Sequence, residues 1–345
     1  MDRLFFLLSG ENETLPASEL KAILEAEKFP FKILETLDQV LRLEADSSCV
    51  EAIKRRAALT RICAAELFTC DAKTSTIIKA IQSTNLNKVL EENDTFAVRI
   101  RHVKEYSQKI DTMTLERKLG NHILKNTTKT KVNLKNPDKT FTGILTNEKL
   151  IFGVKLAETA PKPFVERRPR KKPFFHPSAM PPKLARCMVN LAQPRRGDLV
   201  LDPLCGTGSI LIEAALISCR ILGLDIKRRM IRGCSKNLNH FAIEPEGLIL
   251  TDGRKPPITQ VNSIVTDPPY GRSATTLRLT TKQIVEDVLT SVQDLLNKGQ
   301  RICIASPKTL NIACIATEIG YKHLESHFAY VHRTLTREIA VLKKV

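Results

Sequence analysis

The chain has 345 residues, enough for two or three domains, and a hydrophobic fraction of 42% that supports real cores. Its formal net charge of +17 points to a polyanionic partner, nucleic acid first. Nine scattered cysteines with no CxxC pair exclude a disulfide framework or a zinc site, and no apolar run reaches membrane-spanning length, so a cytoplasmic protein with no metal and no membrane is expected.

Taken in order, residues 4–8 read as a strand, 18–29 as a helix stopped by Pro30, 31–37 and 40–43 as a hairpin, and Ser47 or Ser48 caps a helix through residue 59. This is a small α+β unit, residues 1–58. A second unit follows at 59–156. It has strands at 61–69 and 95–103, helices at 74–83 and 114–125, and three further strands at 131–134, 141–145 and 150–156. Arg99 and Arg101 interrupt the strand at 95–103 with positive charge, as an RNA-facing strand would. Residues 157–176 form a proline-rich, basic linker that carries Arg167, Arg168, Arg170, Lys171 and Lys172. Proline keeps such a segment extended and semi-rigid, and its cations are candidate phosphate contacts.

From 177 to the end strands alternate with helices, which predicts a doubly wound parallel sheet. Strands are expected at 199–201, 221–224, 248–250, 261–265 and 301–305. Helices fall at 182–191, 208–218, 227–239, 282–296 and 310–319, and the chain ends in a hairpin, 323–332 with 336–342. The first strand of this sheet runs into Asp202-Pro203-Leu204-Cys205-Gly206-Thr207-Gly208-Ser209. Two glycines at a strand-to-helix turn let backbone approach a ligand, but the third glycine of a dinucleotide fingerprint is absent and Asp202 would repel phosphate. A cationic, phosphate-free ligand such as S-adenosylmethionine fits, with Asp202 addressing its methionine end. Asp225, about 20 residues past the loop, is placed for ribose hydroxyls, and Asp252-Gly253 for the adenine amine. A fourth strand ends in Asp267-Pro268-Pro269-Tyr270, a rigid corner with a carboxylate, free carbonyls and a ring, suited to a flat base bearing an amine.

Several stretches carry a family resemblance. The runs MTLERKLGNH at 113–122 and VNLKNPD at 132–138 resemble a THUMP domain, and residues 1–58 the ferredoxin-like unit that accompanies it. Asp202 to Gly208 and Asp267 to Tyr270 resemble the cofactor loop and catalytic motif of Rossmann-like class I methyltransferases that act on base amines, folds that end in an antiparallel hairpin. The run at 175–186, with Met180, resembles the segment that closes over the cofactor, although His176-Pro177-Ser178 lacks an expected glycine. With the residues after Tyr270 the chain is similar to the archaeal tRNA guanosine-10 N2-methyltransferases. The resemblance implies tRNA as partner, S-adenosylmethionine as cofactor, and a monomer, with an accessory subunit left open. It implies Asp267, Pro268, Pro269 and Tyr270 as catalytic residues, and Met180, Asp202, Pro203, Cys205, Gly206, Gly208, Asp225, Asp252 and Gly253 as cofactor contacts. The alternatives are another RNA guanosine (tRNA position 6 or ribosomal RNA), N6 of adenine in DNA, and RNA binding without catalysis.

Overall fold

A computed structural model of the chain describes residues 1–86, 89–269, 280–333 and 335–345. From the N-terminus it forms β1 (Asp2–Leu8), α1 (Leu15–Ala26), β2 (Phe31–Leu37), β3 (Val40–Ala45), α2 (Cys49–Arg56), β4 (Thr60–Asp71), α3 (Thr74–Gln82) and β5 (Thr95–His102). Then come α4 (Thr112–Lys125), β6 (Lys131–Val132), β7 (Lys139–Thr146) and β8 (Lys149–Glu158). All these strands join one sheet in the order β2-β3-β1-β4-β8-β7-β5-β6. The Asp111 carboxylate accepts from Thr114 N at 2.7 Å and starts α4, whose Leu115, Leu119 and Ile123 recur at helical spacing and are buried. They share a core with Phe96, Phe141 and Phe152, where Phe141 stacks on Phe152 at 5.9 Å.

The chain divides into two compact units, and not at the expected boundaries. One comprises Met1–Glu13, Phe29–Lys54 and Thr60–Thr159; the other comprises Thr14–Lys28, Arg55–Leu59 and Ala160–Val345. The boundary expected at 58/59 falls inside a continuous sheet, because β1 pairs antiparallel with β4. Helix α1 belongs with the C-terminal half of the chain.

The second unit continues with α5 (Lys162–Glu166), α6 (Pro182–Leu191), β9 (Leu199–Asp202), α7 (Ser209–Ala215), β10 (Arg220–Asp225), α8 (Arg228–His240) and β11 (Gly247–Leu250). It closes with β12 (Ser263–Thr266), α9 (Thr281–Ser291), β13 (Arg301–Pro307), α10 (Ile312–Ile319), β14 (Tyr321–His332) and β15 (Leu335–Lys344). The sheet order is β11-β10-β9-β12-β13-β15-β14. The first five strands are parallel, and β15 inserts antiparallel between β13 and β14. One face is covered by residues of α1, α6 and α7, including Leu15, Ala185, Met188 and Leu211. The other is covered by residues of α9 and α10, including Val285, Leu289 and Ile315. The linker is not the extended spacer expected. It forms α5 and a 3-10 turn at Pro169–Lys171, and Phe164 is buried in the core of this unit. Among the described residues no helix is long and apolar enough to cross a membrane.

One buried carboxylate fixes α1 in this unit. Glu19, 0% exposed, accepts from Ala58 N at 3.0 Å, Leu59 N at 2.8 Å and the Asn190 amide at 2.8 Å. Burial pushes its pKa up, against these donors. Arg56 lies alongside, donating to Asn190 Oδ1 at 3.2 Å and to the Pro194 carbonyl at 2.9 Å. Glu19→Ala leaves three buried donors without their acceptor and should destabilise the protein by about 3 kcal/mol. Glu19→Gln, which keeps an acceptor oxygen, should lose less. Thermal unfolding of the full chain measures both, and an alanine variant that melts with wild type would refute the role.

Candidate active site

Strand order reverses between β9 and β12. The chain lays down β9, β10 and β11 outwards, then returns to pair β12 with the other side of β9. Such a switch opens a crevice at the carboxyl ends of the strands, the ligand site of open α/β sheets. Asp202 and Asp225 end β9 and β10, and Asp252 and Asp267 follow β11 and β12, so the four carboxylates line one edge on adjacent strands.

The loop after β9 is held by backbone conformation and by one carboxylate. Gly206 (φ 52°) and Gly208 (φ 78°) take left-handed conformations that side chains resist. A side chain at Gly208 would also press on Cys234 Sγ of α8, at 2.5 Å. A side chain at Gly206 would meet nothing nearer than the Leu204 carbonyl at 4.0 Å, so that side of the loop is open. Asp225 accepts from Gly206 N at 3.0 Å through one oxygen and from Lys227 N at 2.8 Å through the other. Burial raises its pKa. At Gly253 a side chain would run into the Pro203 carbonyl, which draws the loop after β11 against the loop after β9.

Asp202 is 2% exposed, and its Oδ1 accepts from Thr266 Oγ1 at 2.9 Å and Leu204 N at 3.1 Å. It braces the ends of β9 and β12 against each other, a more inward role than addressing a ligand's methionine end. Burial lifts its pKa to about 7. Arg254 clamps Asp252 through Nε at 3.0 Å and Nη2 at 2.6 Å, and holds its carboxyl below the usual range.

Asp267 follows β12 directly, with a half-buried side chain 3.3 Å from Arg337 Nη2 of β15. Nothing in the sequence marked Arg337: it lies in a strand near the C-terminus and comes to the corner only through β15 pairing with β13. Pro268 is buried and Pro269 half-buried. Tyr270 lies outside the described residues. Cys205 is buried, and its hydrogen bond with Cys234 together with burial pushes its thiol well up, which makes it a packing residue. Met180 is buried and, with Lys172, Pro182, Ser209 and Ile212, lines a shallow crevice against α7 that has no room for a water molecule.

The basic residues divide. Arg167 forks onto the Glu213 carboxylate at 2.7 and 3.1 Å, and Arg186 reaches the same carboxylate at 2.8 Å. Lys172, 6% exposed, donates to Ser209 Oγ at 2.8 Å, and burial pushes its pKa down to about 8. These two are structural and are corrected from phosphate contacts. Arg168, Arg170 and Lys171 are exposed, with Lys171 3.0 Å from Glu166. Arg99 donates to the Leu134 carbonyl at 2.7 Å, and exposed Arg101 stands 3.6 Å from Glu158.

Comparison with known proteins bears on this edge. Residues 169–337 match the family described as RMKL-like, methyltransferase domain, and residues 72–154 match the THUMP domain. The chain is 36% identical to the tRNA (guanine(10)-N2)-dimethyltransferase of Methanothermobacter thermautotrophicus, over 98% of each chain. It is 31% identical to the protein of the same name from Methanocaldococcus jannaschii, over 99% of each. Among solved structures, TrmN from Thermus thermophilus shares the fold with a TM-score of 0.56 and 18% identity, over 99% of this chain and 100% of that one.

The buried Asp202 sets a pH dependence. Its folded pKa, about 7, lies above the unfolded value of 3.8, so between those values the folded state binds the extra proton and stability falls as pH rises. Asp202→Asn keeps the oxygen that accepts from Thr266 and Leu204 and removes the titration. Wild type should therefore lose roughly 2–4 kcal/mol relative to the variant between pH 4 and 7.5. Chemical unfolding at both pH values tests this, and parallel curves for the two proteins would contradict it.

Proposed function

We propose a function from one premise: the chain belongs to the archaeal tRNA (guanine(10)-N2)-dimethyltransferase family. It methylates the exocyclic N2 amine of guanosine 10 in tRNA. Both relatives are named dimethyltransferases, which supports two successive transfers. The observation that carries this reading is the Asp267-Pro268-Pro269 corner, placed across the strand-order switch from the glycine loop.

S-adenosylmethionine supplies an electrophilic methyl group on a cationic sulfur and brings no phosphate. An edge lined by carboxylates suits that charge. The open side at Gly206 leaves room for a nucleoside, and Asp225 keeps lone pairs for hydroxyls beyond the two N–H groups it accepts. Gly206, Asp225 and the loop at Asp252-Gly253 would hold it.

The guanine amine is a poor nucleophile because its lone pair conjugates with the ring. Asp267 accepts one of its N–H groups, and the Pro268 carbonyl accepts the other. Both draw the lone pair out of conjugation and aim it across the crevice. Proline at 268 and 269 fixes φ, so the acceptors stay in place without further ordering. The Arg337 guanidinium, 3.3 Å from Asp267 Oδ2, orients the carboxylate. A target guanine inside a helix is flipped out to reach the corner. Exposed Arg168 and Arg170, and Arg101 in the other unit, serve as phosphate contacts.

With labelled S-adenosylmethionine and a tRNA transcript, the wild-type protein should place N2-methyl and N2,N2-dimethyl guanosine at position 10, read by nucleoside mass spectrometry. Asp267→Ala should lower turnover about a hundred-fold or more while tRNA still binds. Arg337→Met should lower it less. Label at another nucleotide, or unchanged turnover in Asp267→Ala, would refute the assignment.

A further inference from the structure

The chain is poor in aromatic residues, with no tryptophan and four tyrosines. Of the tyrosines, Tyr106 hydrogen-bonds Asp38 and Tyr321 is buried with its hydroxyl on the Leu289 carbonyl. Tyr330 is different: it is 75% exposed, and Phe328 and Val331 beside it are 47% and 40% exposed. The chain places these groups on β14, the edge strand of the second unit's sheet.

Topology decides what they face. β14 pairs antiparallel with β15, which pairs antiparallel with β13, so the C-terminal end of β14 lies at the carboxyl edge of the parallel strands. Ala329 stands opposite Arg337, the residue that reaches Asp267, and Tyr330 stands opposite Thr336, one pair further toward the tip. Alternation along the strand turns the Tyr330 ring to the face of the sheet opposite Arg337, at the same carboxyl edge as the catalytic corner.

The surrounding chemistry is cationic. No acidic residue occurs from 328 to 337, and exposed Arg333 lies in this stretch. The exposed Lys308 ammonium sits 5.0 Å over the Phe328 ring. Solvent-facing rings beside cations, on a sheet edge, form the surface that holds unpaired bases and their phosphates. An exposed ring here is not needed for packing.

We propose that the end of β14 is a stacking platform for single-stranded RNA, on which Tyr330 holds a nucleotide flanking the flipped target guanosine. This rests on the tRNA reading above and adds how the substrate is positioned once its helix opens. Base–aromatic stacking sets the scale of the effect, about ten-fold or more in affinity per base.

The test is steady-state methylation of tRNA by the full chain, with S-adenosylmethionine binding and thermal unfolding measured alongside. Tyr330→Ala should reduce kcat/KM for tRNA about ten-fold or more, with cofactor affinity and melting temperature unchanged. Tyr330→Phe and Tyr330→Trp should retain activity, and Tyr330→Leu, apolar but without a π face, should not. Unchanged kcat/KM in Tyr330→Ala overturns the inference while leaving the proposed function intact. Full activity in Tyr330→Leu also overturns it, since plain apolar contact, as with a partner protein, would then suffice. A wild-type protein inactive on tRNA overturns the proposed function itself, and this inference with it.

Discussion

The Glu19 carboxylate is the constraint on which the methyltransferase unit depends. It is fully buried, and its desolvation is partly offset because two backbone N–H groups, from Ala58 and Leu59, and the Asn190 amide all donate to it. The chain therefore contributes to this unit twice, at residues 14–28 and 55–59, before it reaches the linker. Leu15 and Ala22 lie in the same core as Val200 and Leu211. A fragment beginning at 177 would lack a helix from one face of its own sheet and leave Asn190 without its acceptor. The sequence matches divide the chain into modules, but cutting the linker would not separate folded pieces.

Four carboxylates on one sheet edge repel one another, and the chain answers strand by strand. The outer two carry cations of their own: Arg254 clamps Asp252, and Arg337 faces Asp267. The middle two, Asp202 and Asp225, are stabilised by backbone N–H groups and a threonine hydroxyl, and burial raises the pKa of both. A cationic ligand thus changes the electrostatics most at β9 and β10, beside the glycine loop. The arrangement favours positive charge in the centre of the edge and keeps its ends satisfied without it.

Periodicity and turn residues made most elements legible, including the parallel strands, the glycine loop and the terminal hairpin. These are local signals, readable from neighbours in the chain. What stayed hidden depends on long-range pairing. The helix expected at 18–29 forms three residues earlier, at 15–26, and its spacing could not show which sheet it would cover. Lys172 belongs to a basic run that composition assigns to solvent, and only folding puts its ammonium on Ser209. The place of Asp252 after a strand marks it as a ligand group, and nothing local shows that its neighbour Arg254 pairs with it. Arg337 reaches Asp267 from 70 residues further along the chain, with no motif to announce it.

The hairpin is where register becomes chemistry. Opposite Ile302, Cys303, Ile304 and Ala305 of β13 stand Leu342, Val341, Ala340 and Ile339 of β15. The pairs alternate strictly between the two cores: Cys303, Ala305, Ile339 and Val341 pack on one face, and Ile302, Ile304, Ala340 and Leu342 on the other. A slip of one residue would exchange both sets, so each face resists it. Arg337 lies two residues before Ile339, and therefore projects on that residue's side of the sheet. The apolar pattern that locks β15 in the core thus also sets which residue meets Asp267, and through Ala329 opposite Arg337 it fixes where Tyr330 stands on the neighbouring strand.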